Sequence, residues 1–143
     1  MIRSLAAATA VAAALALTAC GSEDSAPANG PEATVRTFLD AVHSGAAERA
    51  CSQFTDERRE EAKNDADEPD QPSCEAAYSA GAGAIWKGGK TVATDASAGT
   101  VDVSLGQVEL AGDHAVEDRH RFFLVKEGGS WKIARNERLD PAS

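Results

Sequence analysis

The sequence has few basic residues and no catalytic sequence motif. Its 143 residues include 14 Lys and Arg against 23 Asp and Glu, and the formal net charge is −9. Such a chain is poorly suited to nucleic acid or an anionic membrane surface, because both are bound largely through positive charge. No nucleophile motif, glycine-rich phosphate loop or cofactor fingerprint is present. We therefore expect no nucleic-acid partner and no cofactor.

Long apolar runs are also scarce, and the one at the N-terminus is short. Arg3 is followed by a 13-residue apolar segment, Leu5 to Leu17. A helix needs about 20 residues to cross the hydrocarbon core of a bilayer, so this segment predicts a cleaved leader, residues 1–19, rather than a membrane span. The tetrapeptide Leu17-Thr18-Ala19-Cys20 resembles the bacterial lipobox, which implies lipidation of Cys20. The alternative is a secreted protein cut near Ala19 with a free Cys20.

Residues 20–31 predict a lipidated tether. The segment after Cys20 reads GSEDSAPANGP, which is small, polar and interrupted by proline and glycine. Eleven residues reach at most ~35 Å when extended. We expect the folded part, residues 32–143, to lie outside the cytoplasm and close to the membrane that holds the anchor.

The three cysteines predict one disulfide. If Cys20 is lipidated, Cys51 and Cys74 remain as a pair in an oxidising compartment. A metal site would need more ligands, and no histidine lies close to the pair in sequence. The acidic loop 64–72 also fails as a calcium loop, because it lacks the required glycine and the final glutamate. We expect no metal site.

The first half of the predicted domain is helical. Pro31 and Gly45 bracket a segment whose apolar residues recur at helical spacing. Further short helices are expected at residues 46–54, 56–63 and 74–80, the last two capped by Thr55 and Ser73. A strand is expected around residues 91–93. Trp86 and Trp131 are interpreted as packing residues rather than as a ligand cage.

Residues 100–135 predict three antiparallel strands in succession. Apolar residues alternate along each strand, and the alternation changes phase at Gly106-Gln107, which indicates a β-bulge. Turns are expected at residues 111–113 and 127–130. The fold class is therefore α+β, with N-terminal helices packed on a curved antiparallel β-meander.

Asp118 and His120 form the candidate catalytic pair. They lie two apart on the second long strand and share a face with Phe122. On an apolar inner face they could act as general base and proton donor. The alternative, which five consecutive polar residues favour, is a charged edge exposed to water.

Three segments together resemble the nuclear transport factor 2-like superfamily. They are the helix EATVRTFLDAVHS (32–44), the strand entry GDHAV (112–116) and the turn GGSWKI (128–133). Cys51 in the second helix and Cys74 at the start of the third further resemble small actinobacterial lipoproteins of this superfamily. The resemblance covers residues 31–139. It implies a cone, in which a curved sheet surrounds a pocket that the helices close.

The resemblance leaves several functions open. Ketosteroid isomerases, scytalone dehydratases and polyketide cyclases of the superfamily use acid–base residues in the pocket, whereas many other members only bind or dimerise. We expect a non-catalytic module that binds a small molecule or an envelope protein. The alternatives are an isomerase- or dehydratase-like enzyme using Asp118 and His120, and an accessory subunit of an envelope complex. A homodimer through the sheet face is also possible, because one face carries Arg119, Arg121, Phe123 and Val125.

Overall fold

The computed structural model describes residues 29–67, 69–110 and 114–140. The leader 1–19, Cys20 and the expected turn at 111–113 lie outside these residues. Two 3-10 helices, Ala62–Asn64 and Ala84–Trp86, accompany the regular elements. The regular elements are α1 (Pro31–Ser44), α2 (Ala47–Cys51), α3 (Asp56–Glu61), α4 (Cys74–Ser79), β1 (Lys90–Asp95), β2 (Thr100–Leu110), β3 (His114–Glu127) and β4 (Ser130–Leu139).

The strands form one open antiparallel sheet in the order β1-β2-β3-β4. The predicted meander is confirmed as β2 to β4, and the predicted strand around residues 91–93 becomes β1. The predicted bulge is also confirmed: the register of β2 and β3 shifts between Ser104 and Gln107, where Gly106 has a φ of 93°. Glycine adopts this angle without a steric penalty. The coarse fold class, α+β with helices on an antiparallel sheet, is therefore correct.

Helix α1 covers the inner face of the sheet, which is the face turned towards the helices. Pro31 occupies the start of the helix, and Gly45 ends it in the left-handed conformation with a φ of 73°. The predicted apolar stripe is buried along its length: Val35, Phe38, Leu39 and Val42. Because the stripe lies on one side, the helix contacts β1, β2 and β4 while its polar side remains in water.

The second helix is shorter than predicted because the chain that follows it forms hydrogen bonds with the edge strand β4. It ends at Cys51 instead of continuing to residue 54. The Ile133 amide of β4 donates to the Gln53 carbonyl at 2.8 Å, and the Thr55 amide donates to the Ile133 carbonyl at 3.0 Å. These bonds satisfy backbone groups that a longer helix would have used, and they cover part of an edge strand that is otherwise open to pairing.

Phe38 lies at the centre of the core. Its ring centroid is 5.3 Å from that of Phe54, 5.8 Å from Phe122, 6.0 Å from Tyr78 and 6.2 Å from Trp86. These partners belong to different elements, so one side chain joins the helices, the 3-10 turn and β3. Aromatic pairs at such distances add to the free energy gained from burial.

Cys51 and Cys74 connect α2 to α4. Their sulfur atoms lie at bonding distance, 1.97 Å, and the two residues are separated by 23 positions. Both are buried. The link closes the segment that contains α3 and the acidic loop. It thereby restrains the part of the chain with little apolar surface of its own.

The core position of Phe38 gives a direct stability prediction. Phe38 is 1% exposed, so Phe38→Ala should lower the free energy of unfolding by about 3–5 kcal/mol through lost burial and a residual cavity. Ile85 is 62% exposed, and Ile85→Ala should change it by less than about 0.5 kcal/mol. Urea unfolding of both variants measures the difference. Equal losses would contradict the central role of Phe38.

The cysteine pair gives a second prediction. Replacing both residues in Cys51→Ala/Cys74→Ala should cost about 3 kcal/mol, because the unfolded chain regains the entropy of an open loop. Urea unfolding with and without reductant measures this loss. Reductant should destabilise the wild type and leave the double variant unchanged, and a wild type insensitive to reductant would contradict the link.

Candidate functional site

The predicted pair lies on the inner face of the sheet, at the end of the apolar core. Asp118 and His120 have side chains only 16% and 13% exposed, and they share their face of β3 with the buried Phe122. The sequence favoured the alternative in which the five polar residues 117–121 form a charged edge exposed to water. That interpretation is wrong for Asp118 and His120. Alternation along β3 sends every second polar residue inward, where other elements cover it.

The packing partner of His120 is Trp86, from the 3-10 helix Ala84–Trp86. Their rings meet edge to face with centroids 5.0 Å apart, and Trp86 also contacts Phe122 at 5.0 Å. This confirms the interpretation of Trp86 as a core residue. The Nδ1 atom of His120 is buried without a hydrogen-bond partner, whereas its Nε2 atom lies 3.4 Å from Asp118 Oδ1. An orphaned buried nitrogen in a native fold is unusual and calls for an explanation.

Arg138 completes the cluster, and the sequence did not reveal it. Its Nε lies 2.8 Å from Asp118 Oδ1, an ion-pair contact in which the groups are not aligned as a hydrogen bond. Arg138 lies opposite His120 because the register of β3 and β4 shifts between Phe123 and Leu124. The predicted last strand ended at residue 135, so Arg138 was not among the candidate residues. We call Trp86, Asp118, His120 and Arg138 the rim cluster.

The electrostatics of the rim cluster favour a neutral imidazole. Burial lowers the pKa of His120 below its ordinary value, and the positive charge of Arg138 acts in the same direction. The Asp118 carboxylate opposes both effects. At neutral pH the cluster therefore contains an uncharged His120, and the guanidinium of Arg138 lies against the carboxyl group of Asp118. This arrangement can accept a hydrogen bond at one imidazole nitrogen, or accept a proton there.

The interior behind the rim cluster is filled by aromatic side chains. Phe38, Trp86 and Phe122 lie against one another where an open cone would have its pocket. The cavities lined by described residues include four with volumes of about 160, 270, 360 and 480 Å³. None of these four is lined by Asp118 or His120. The predicted acid–base pair is thus brought together, but not on the wall of any of them.

The outer face of the sheet is more strongly paired than the sequence indicated. Arg121 donates to both carboxylate oxygens of Asp102, from Nε at 2.7 Å and from Nη2 at 2.9 Å. These bonds lower the pKa of Asp102. Phe123 is covered by Arg135, whose guanidinium carbon lies 3.5 Å from the ring centroid. Val125 is exposed. A homodimer through this face stays a prediction.

Comparisons with family models, curated proteins and solved structures found no match to this chain. Within the three described ranges, no helix has the length and apolar character needed to cross a membrane. The same residues contain no group of three or more His, Cys, Asp or Glu side chains placed to hold a metal ion. The function must therefore be inferred from the geometry and the sequence motifs.

The environment of His120 predicts a pH dependence of stability. Its folded pKa is below its ordinary value of 6.5, so the unfolded chain takes up a proton that the folded chain resists. The free energy of unfolding should therefore fall as the pH falls from about 6.5 towards the folded pKa. Urea unfolding at pH 7.5 and 5.5 should show a larger loss for the wild type than for His120→Gln.

This pH interval separates His120 from the acidic groups. Glu75, Asp95 and Asp102 have pKa values below their ordinary 4.5 or 3.8, so their contributions change only in more acidic solution. A proton NMR titration gives the pKa of His120 directly. Equal losses in the two proteins, or an unshifted titration, would contradict the buried neutral imidazole.

Proposed function

We propose that the protein is a membrane-anchored extracytoplasmic lipoprotein whose domain, of the nuclear transport factor 2-like type, acts as a non-catalytic binding module. The lipobox-like tetrapeptide ending at Cys20 supports the anchor. The order of the elements, helices followed by a bulged antiparallel meander, supports the superfamily and its cone. The Cys51–Cys74 pair supports an oxidising location outside the cytoplasm.

One observation carries the non-catalytic assignment. The superfamily's enzymes hold substrate within the cone, and here Phe38, Trp86 and Phe122 fill that space. A close-packed interior does not admit a substrate without displacing side chains. Ligands or protein partners are therefore expected at the surface of the domain.

A small-molecule isomerase or dehydratase is the second candidate function. It is favoured by the buried and unpartnered Nδ1 of His120 and by the adjacent Asp118 carboxylate. In that mechanism Asp118 would take a proton from one carbon and give the same proton back at another, and His120, with its ring proton on Nδ1, would donate a hydrogen bond to the developing oxyanion. This candidate requires the aromatic interior to open when substrate arrives.

The double variant Asp118→Asn/His120→Gln distinguishes the two candidates. For a binding module, the envelope proteins crosslinked in cells should be the same as for the wild type, because partners are expected at the surface and the side chains of Asp118 and His120 are mostly buried. The matched control is Arg121→Gln, which changes the outer face instead. A steroid or polyketide-like compound that raises the melting temperature of the wild type alone would favour the enzyme.

The anchor has its own test. Cys20→Ser should abolish incorporation of labelled palmitate and move the protein out of the membrane fraction, because the thiol that carries the diacyl group is removed. Ser25→Ala, in the same tether, should change neither result. Membrane association that persists in Cys20→Ser, without label, would contradict the lipoprotein assignment.

A further inference from the structure

A polar groove lies beside the start of α1. It has a volume of about 360 Å³ and is formed by Asn29 and the first turns of α1, by Gln53 after α2, and by the turn from β3 into β4. We call it the polar groove. Its polar lining residues are Asn29, Thr34, Thr37, Gln53, Ser130 and Lys132.

The lining of the polar groove contains no carboxylate, although the chain has 23 acidic residues. Its polar groups are mainly hydroxyls and carboxamides. Hydroxyls and carboxamides both donate and accept hydrogen bonds, whereas carboxylates and ammonium groups do only one of the two. A ligand that matches this surface carries several groups of the same dual kind and no net positive charge.

Several of these side chains are available to a ligand. Among the described residues, the side chains of Thr37 and Ser130 have no hydrogen-bond partner. The side-chain nitrogen of Gln53 donates to the Arg49 carbonyl at 3.3 Å and to the Ser52 hydroxyl at 3.0 Å, and the side-chain oxygen Oε1 of Gln53 is left to accept. The Lys132 ammonium donates to the Ser52 backbone carbonyl, which uses one of its N–H groups and does not neutralise its charge. The groove is therefore lined by hydroxyl and carboxamide groups together with one ammonium group, and it is open to hydrogen bonding.

The other cavities are less suited to a small ligand. Small-molecule sites usually have volumes of about 300–1,000 Å³. The cavities of about 160 and 270 Å³ fall below that range. The cavity of about 480 Å³ is lined only by Ala46–Arg49 and Ser52, so a single stretch of chain forms it without an opposing wall. The polar groove has walls from three separate parts of the fold.

We propose that the polar groove binds an uncharged ring that carries several hydroxyls, either a sugar ring in a free glycan or the sugar or inositol ring of a lipid headgroup. Ring hydroxyls donate and accept in the way that the lining requires. The inference deepens the proposed function by naming a ligand class, and it rests on that function only in treating the domain as a binding module. Loss of sugar binding would leave the palmitate result and the crosslinking result unchanged, so the two failures are distinguishable.

The test is a backbone NMR titration of the full chain in a detergent without a sugar headgroup. Chitobiose and cellobiose serve as free glycans, inositol 1-phosphate and glycerol 1-phosphate as headgroup probes. We expect saturable shifts at residues 33–37, 53 and 129–132 with a disaccharide or with inositol 1-phosphate. Shifts with inositol 1-phosphate alone would assign the ring to a lipid headgroup.

The variant Thr37→Val/Ser130→Ala should weaken binding at least about tenfold, because two hydrogen bonds to the ligand are lost. The control Thr94→Val/Ser44→Ala makes the same two changes away from the groove and should bind like the wild type. Absence of saturable shifts, equal shifts with glycerol 1-phosphate, or unchanged affinity in the groove variant would each overturn the proposal.

Discussion

The packing of Phe38 against the inner face of the sheet holds the domain together. Its ring contacts one aromatic residue from each of four parts of the chain: the segment that joins α2 to α3, helix α4, the 3-10 helix Ala84–Trp86 and strand β3. Each of these parts is therefore positioned against the same side chain. The surrounding valines and Ile133 are fully buried. A domain of this size has one core, and here that core has a single aromatic centre.

This packing also limits where function can reside. The aromatic side chains that stabilise the fold pack together between the helices and the inner face of the sheet. The polar residues Asp118 and His120 of the inner face lie at the end of the core, where they belong to the rim cluster. The Nδ1 atom of His120 remains there without a hydrogen-bond partner, while the groove formed by α1 and the β3–β4 turn offers hydroxyls and amides to the solvent.

Much of the fold was predictable from local pattern. The α1 stripe, the Gly45 terminus, the Thr55 and Ser73 caps and the Gly106 bulge depend on residues close together in sequence, and all are present. The candidate site was predicted less completely. Asp118 and His120 were paired correctly by their spacing, but their burial was misjudged because it depends on Trp86, which is distant in sequence.

The sequence alone determined the types of the longer elements, the antiparallel succession of β2, β3 and β4, and which residues could share a face, because each follows from short-range periodicity and turn chemistry. The tertiary structure decided the rest. It filled the interior, ended α2 early through bonds to Ile133, placed Arg138 beside Asp118 and assembled the polar groove. These outcomes depend on strand register and on contacts across the fold, and no local pattern specifies which distant groups meet.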